Sequence, residues 1–149
     1  GKGGKMAEEK IPERLDKAAI QALFQASPFI SSLDLEVLEM DYEAQEIIVR
    51  MPQSETTGRR AGTKQFHGGP LAAFIDIVGD FAIGMLVGGG VPTMNLRIDY
   101  LKPAVGDAVI GTARVRRQGR TACVIDIDVA NEEGALVAIG RGTYVPITG

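Results

Sequence analysis

The sequence predicts an α+β fold in which an antiparallel β-sheet curls around one long helix. Residues 71–87 are almost continuously apolar, which is typical of a helix buried on nearly all sides. Most of the remaining chain consists of short segments that alternate apolar and polar residues between turn signals, as strands do. The chain has 149 residues, of which 45% are hydrophobic. This length and composition suffice for one core, and therefore for one domain.

The first predicted element is a short amphipathic helix over residues 12–26, with Pro12 in its first turn. Its apolar residues recur at helical spacing: Leu15, Ala19, Leu23 and Phe24. Residues 1–5, GKGGK, resemble an expression scar that precedes Met6. We therefore expect the domain to span residues 6–149.

The strands and the long helix follow in order. Residues 33–42 and 45–51 are predicted to form a hairpin, and the polar residues 54–66 a loop. The apolar helix is predicted over residues 68–87, and the glycines at 88–90 end it. Four further strands are predicted after it, over residues 91–101, 108–118, 121–130 and 135–145.

A helix that is apolar on nearly all sides must be covered everywhere, and one curved sheet covers only part of it. The remaining cover is expected to come from a second copy of the chain. The pattern therefore predicts a homo-oligomer, either a homodimer or a dimer of dimers (a homotetramer).

Composition excludes several classes of function. The formal net charge is −3, and without the two lysines of the scar the 14 basic and 19 acidic side chains give −5. This balance leaves no basic footprint for nucleic acid or an anionic membrane. Cys123 is the only cysteine, which excludes an intrachain disulfide and favours a reducing, cytoplasmic location. The apolar stretch carries Asp76 and Asp80 and is short for a membrane span, so we interpret it as a buried helix.

Familiar catalytic motifs are also missing. The sequence has no G-x-S-x-G for a serine hydrolase, and one histidine is too few for a multi-histidine zinc site. The run GRRAGTK at residues 58–64 lacks the glycine spacing and the residue order of a phosphate-binding loop.

His67, Gly68 and Gly69 stand where the apolar helix begins. Backbone N–H groups at a helix start have no partner within the helix, and the helix dipole adds positive potential there. Glycine lets a polarised carbonyl oxygen approach these groups closely. The alternative is a glycine loop that enters a helix, with a histidine whose hydrogen bonds are satisfied locally.

Asp76 is a second candidate, because a carboxylate in a buried helix is costly unless it is paired, hydrogen-bonded or open to a site. Asp80 lies one turn later, and for this residue a purely structural role is favoured. Asp76 is about 12 Å along the helix from Gly68, too far to act on a carbonyl held there. It could act on a carbonyl held by an antiparallel neighbouring helix, which predicts a composite site between two subunits.

The chain resembles the PaaI-type hotdog-fold thioesterases over about residues 30–146. The resemblance consists of the HGG at 67–69, the acid nine residues after the histidine, Thr93, the run IDYLKPAVGD at 98–107, and QGRT at 118–121. It implies a helix wrapped by an antiparallel sheet, hydrolysis of an acyl-CoA thioester, and no metal or redox cofactor.

The resemblance also implies roles for individual residues. The Gly68 amide would polarise the thioester carbonyl, and Asp76 of the partner subunit would activate water or attack directly. Thr93 would position that carboxylate or the water, and His67 would shape the helix entry. The family commonly has asparagine six residues before the histidine to orient the water; here the position is Ala61, and Gln65 can supply an amide from the same loop.

Substrate-binding candidates follow from the anionic character of CoA. Besides Gly69 and Gln65, they are the basic residues Arg59, Arg60, Lys64 and Arg120. Each basic residue has the alternative of being a solvated loop charge. Short, medium, branched and aromatic acyl groups are all compatible with the sequence.

Two other functions stay open at this stage. One is a hotdog hydratase or dehydratase, in which a histidine and a carboxylate do acid–base work on a carbon–carbon double bond. The other is a non-catalytic acyl-CoA binding module, which the alanine at position 61 makes credible.

Overall fold

The computed structural model describes residues 14–148. The elements are, in chain order, α1 (Lys17–Ala26), α2 (Pro28–Ser31), β1 (Glu36–Asp41), β2 (Glu46–Pro52), α3 (Gly68–Val87), β3 (Thr93–Tyr100), β4 (Ala108–Gln118), β5 (Cys123–Asn131) and β6 (Leu136–Tyr144). The six predicted strands and the long helix are confirmed, with boundaries within a few residues of the predicted ones. The scar at residues 1–5 and Pro12 lie outside the described residues.

The strands form one sheet in the order β1-β2-β4-β5-β6-β3, and every neighbouring pair is antiparallel. The long helix α3 lies across the sheet and contacts β2, β3, β4, β5 and β6. The alternating apolar residues of the strands, such as Val49, Ile125 and Ile127, are fully buried against it. The predicted wrapping of a sheet around an apolar helix is therefore confirmed.

The helix α3 begins and ends as its sequence predicts. His67 caps its N-terminus, and Gly88 ends it in a left-handed conformation with φ of 94°, which glycine adopts without strain. By length and composition α3 could cross a membrane, but 67% of its most apolar window is buried inside the protein. Its charged residues Asp76 and Asp80 keep partial exposure, as expected for carboxylates in a helix of this kind.

The surface that α3 retains is one narrow stripe. The positions that keep exposed or partly exposed surface over most of the helix recur at helical spacing: Gly69, Ala72, Ala73, Asp76 and Asp80. We call these five residues the open stripe of α3. Part of the cover that was expected from a second subunit comes instead from α1 of the same chain, because Phe24 packs edge-to-face on Phe81 with ring centroids 4.9 Å apart. The open stripe is left for a partner, together with partly exposed surface at Gly68, Pro70 and Val87.

The N-terminal helix is shorter than predicted. It begins at Lys17, because the Asp16 side chain caps it by accepting the Ala19 N–H at 2.8 Å. Its buried residues are Ile20 and Phe24. The predicted apolar face is wrong in part: Leu23 is exposed, and Leu15 precedes the helix.

A β-bulge in β3 aims both ends of this edge strand at α3. Thr93 pairs with Tyr144 and Asn95 pairs with Thr143, so Met94 is an extra residue in β3. The extra residue lets the odd-numbered Thr93 face α3 together with the even-numbered Tyr100. The hydroxyl groups of both residues donate hydrogen bonds to α3.

Candidate active site

The start of α3 presents an amide without an acceptor. Nδ1 of His67 accepts the Gly69 N–H at 3.0 Å, and the Tyr100 hydroxyl donates to the Gly68 carbonyl at 2.7 Å. Within residues 14–148, the Gly68 N–H donates no hydrogen bond. This N–H lies at the positive end of the helix dipole, where it can bind a carbonyl oxygen or an oxyanion.

A pocket of about 380 Å³ opens at this helix start. Its apolar wall consists of Phe66, Leu71, Tyr100, Leu101, Pro103 and Ala104. Its polar lining includes Gln65, His67 and Gly68, with the basic side chains of Arg59 and Lys102. The pocket therefore combines an apolar surface, a backbone hydrogen-bond donor and positive charge.

Asp76 lies elsewhere on the helix and is bound by two hydroxyl groups. The Thr93 hydroxyl donates to its carboxylate at 2.6 Å, and the buried Tyr144 hydroxyl donates to its backbone carbonyl at 2.9 Å. Tyr144 reaches this carbonyl because residue 79 is glycine: a Cβ there would lie 2.2 Å from the tyrosine oxygen. Asp76 does not line the pocket at the helix start. The structure thus brings Asp76 and Thr93 together and keeps both apart from Gly68 within one chain.

Asp80 makes a different contact. Its carboxylate accepts the Val91 N–H at 2.8 Å, which ties α3 to the segment that enters β3. The pKa of Asp80 is raised from 3.8 to about 7, mainly because its carboxyl group is buried; the Val91 hydrogen bond opposes this rise, and the negative charge of Asp76 adds to it. The sequence favoured a structural role for Asp80. Such a role requires a hydrogen bond of this kind to the backbone.

The predicted substrate-binding residues do not lie together. Arg59 and Gln65 line the pocket, whereas Arg60 and Ala61 line a separate cavity of the same loop. Lys64 forms an ion pair with Asp107 at 2.6 Å. Arg120 is exposed in the turn between β4 and β5 and does not line the pocket. Among the four basic candidates, only Arg59 is therefore at the helix start.

Tyr100 and Lys102 are functional candidates that sequence reasoning missed as individual residues. Both belong to the run at 98–107 that carried part of the resemblance. The signal was that this run covers the end of a strand and the residues after it, because β3 delivers Tyr100 to the start of α3 and the chain then passes along the pocket.

Comparisons with known proteins agree with this architecture. A family model described as the thioesterase superfamily matches residues 65–138. A protein of Halobacterium salinarum, named provisionally as an esterase, is 34% identical over 138 residues, covering 85% of this chain and 89% of the relative. Acyl-coenzyme A thioesterase 13 of Mus musculus is 31% identical over 103 residues, covering 66% of this chain and 71% of the relative. The solved structure of PaaI from Escherichia coli has a TM-score of 0.74 at 27% identity, covering 87% of this chain and 91% of that chain.

The sheet wrapped around α3 and these structural likenesses define the hotdog fold. The chain belongs to the thioesterase superfamily. The matched residues 65–138 include His67, Gly68, Asp76, Thr93 and Tyr100. These five residues of the candidate site thus lie in the part of the chain that the family model describes.

Proposed function

We propose that the protein is an acyl-CoA thioesterase, which converts an acyl-CoA and water to a free acid and CoA. The observation that carries this proposal is the unpaired Gly68 N–H at the wall of a partly apolar pocket. The names of relatives such as mouse acyl-coenzyme A thioesterase 13 support the substrate class.

In this reaction the thioester carbonyl oxygen accepts the Gly68 N–H, and the positive end of α3 stabilises the charge that develops on this oxygen. Asp76 of the partner subunit takes a proton from water as the water attacks the carbonyl carbon, or attacks that carbon itself. When Asp76 attacks directly, loss of CoA leaves an acyl–aspartyl anhydride, which water then hydrolyses to the free acid and the restored carboxylate. The tetrahedral intermediate collapses by breaking the carbon–sulfur bond, and the CoA thiolate takes up a proton. This chemistry needs no metal or redox cofactor.

A dimer would bring the two halves of the site together through the open stripe. Two antiparallel α3 helices related by a twofold axis near Ala72 would place each Gly68 opposite the Asp76 of the other chain, because Ala72 is midway between them. Residues 72 and 73 are both alanine, so the helices can approach closely. The edge strand β3 flanks the stripe and exposes Met94 and Tyr100, at 67% and 55% exposure. The same pairing could recur in a dimer of dimers.

Arg59 and Lys102 are the cations best placed to bind the phosphate groups of CoA, because they line the pocket that contains Gly68. Gln65 lines the same pocket and is the side-chain amide available to orient water in place of the family asparagine. We assign the enzyme to the cytoplasm, in keeping with a single, buried cysteine.

Thiol release from a panel of acyl-CoA substrates tests the activity. Ellman's reagent is suitable because Cys123 is fully buried and contributes little background. We expect turnover with at least one substrate. Hydration of an enoyl-CoA without thiol release would instead indicate a hydratase. Thermal stabilisation by acyl-CoA without turnover on any substrate would indicate a binding module.

Mixed dimers test the composite site. One chain carries Asp76→Ala and the other Gly68→Pro, which removes the N–H. Proline is tolerated at this first helical position, and His67 already has the extended backbone that precedes proline, with φ of −70° and ψ of 149°. Both homodimers should be inactive. After random exchange about half of the dimers are mixed, each with one intact site, so activity should return to roughly a quarter of wild type. Mixed dimers verified by tagged-chain pull-down that stay inactive would exclude a shared site.

A further inference from the structure

We propose that Asp80 is a positioning residue for Asp76: by holding the segment 91–93 against α3, it fixes the Thr93 hydroxyl on the Asp76 carboxylate. This inference rests on the proposed function only in taking Asp76 as the catalytic carboxylate. The contact itself is a property of the fold.

The two carboxylates accept hydrogen bonds from the same short segment, residues 91–93. Asp76 and Asp80 are one helical turn apart on the open stripe, and their partners Thr93 and Val91 are two residues apart in the chain. The two hydrogen bonds are 2.6 Å and 2.8 Å long. The segment therefore spans the two acids and transmits a displacement at Val91 directly to Thr93.

Thr93 at the end of the segment pairs with Tyr144 in the sheet, but few other bonds hold residues 91 and 92 in place. The segment follows three glycines, and Pro92 has no N–H to donate. On the sheet side, the Pro92 carbonyl accepts the Val145 N–H at 2.9 Å. On the helix side, the Asp80 carboxylate is the only acceptor for the Val91 N–H that residues 14–148 provide. Val91 is itself buried, at 6% exposure, so without Asp80 its N–H would lose its partner and the segment would shift.

The choice of an acid at position 80 also needs a reason. A carboxyl group there is desolvated and lies beside the charge of Asp76, so that burial and repulsion both oppose its ionisation. An apolar side chain would avoid this penalty, but it could not accept the Val91 N–H. The hydrogen bond to the segment thus explains why position 80 carries a hydrogen-bond acceptor and not an apolar side chain.

Four variants test the inference by thiol release. Asp80→Asn keeps an oxygen that can accept the Val91 N–H, whereas Asp80→Leu fills the space without an acceptor. We expect Asp80→Leu to lower kcat about tenfold with KM unchanged within about twofold, and Asp80→Asn to keep kcat within about threefold of wild type. Thr93→Val should lower kcat by a similar factor. The double variant Asp80→Leu/Thr93→Val should be no slower than Thr93→Val alone, because both changes remove the same hydroxyl contact.

Losses that multiply in the double variant, or full activity of Asp80→Leu, would overturn the inference. The distance from Thr93 Oγ1 to Asp76 Oδ1, measured in crystals of Asp80→Leu, gives an answer that does not depend on turnover. We expect it to exceed 3.5 Å, and an unchanged distance refutes the inference. Should Asp80→Leu not fold, the same distance in Asp80→Ala decides. An inactive wild-type enzyme would count against the proposed function, while the crystal distance would still decide the role of Asp80.

Discussion

Replacing Asp80 by asparagine is expected to make the protein more stable, and the gain should increase with pH. The pKa of Asp80 is about 7 in the folded protein, against 3.8 for an ordinary aspartate, because its carboxyl group is buried and lies beside Asp76. Between these two values the folded protein keeps a proton that the unfolded chain has lost. The contribution of this group to stability is therefore complete below pH about 4 and is lost as the pH rises to about 7.

The two pKa values set the size of the effect. The linkage relation gives a destabilisation by Asp80 of about 2 kcal/mol at pH 5 and about 4 kcal/mol at pH 8. Wild type should thus lose roughly 2 to 3 kcal/mol between these pH values through this one group, and Asp80→Asn should not. Tyr144 does not contribute to the change in stability between pH 5 and pH 8, because burial and the two nearby carboxylates raise the pKa of its hydroxyl above the ordinary value of 10.

Urea unfolding at pH 5, 6.5 and 8 measures the difference, at one fixed protein concentration so that association does not vary. Asp128→Asn, which removes a carboxylate from an exposed position on β5, controls for the loss of one negative charge. A stability difference between Asp80→Asn and wild type that stays constant across the three pH values would refute the assignment of a buried, proton-binding carboxyl at this position.

Further predictions concern turnover and packing. Asp76→Asn should keep the fold by circular dichroism but lower kcat at least about a hundredfold in the thiol-release assay, because it removes the proposed base while conserving volume. Gly79→Ala should lower the free energy of unfolding by about 1 to 3 kcal/mol in urea, since its Cβ would lie 2.2 Å from the Tyr144 oxygen. Tyr100→Phe should lower kcat/KM about fivefold, because it removes the hydrogen bond to the Gly68 carbonyl that holds Gly68 in place; an unchanged melting temperature would show that the effect is local. Lys102→Ala should raise KM for acyl-CoA severalfold with kcat preserved, whereas Lys64→Ala, which removes a residue already paired with Asp107, should change KM much less.

The positions of the strands along the chain could be predicted, because the alternation of apolar and polar residues and the turn residues are local signals. The helix start could be predicted for the same reason, since His67 and Gly68 stand at a clear boundary between a polar loop and an apolar run. The Thr93 contact with Asp76 came from the resemblance, because its geometry depends on the bulge at Met94 and alternation alone would turn Thr93 away from the face occupied by Tyr100.

The grouping of the basic residues could not be predicted, since it depends on long-range contacts. Lys64 and Asp107 are 43 residues apart in the chain, yet they form an ion pair. Lys102 reaches the pocket only because β3 runs alongside α3 and ends beside Gly68. The part played by α1 in covering α3 likewise depends on packing at Phe24, which helical spacing does not reveal.

The cap that His67 provides restricts what its ring can do. Because Nδ1 accepts the Gly69 N–H, its lone pair is already in use, and a neutral ring then carries its proton on Nε2. In this tautomer the imidazole is a hydrogen-bond donor and has no nitrogen left to take a proton from carbon. A dehydratase needs such a proton acceptor, whereas a carbonyl oxygen needs donors. The imidazole Nε2–H and the Gly68 N–H are therefore both hydrogen-bond donors. The helix start suits a hydrogen-bond acceptor, such as the carbonyl oxygen of a thioester.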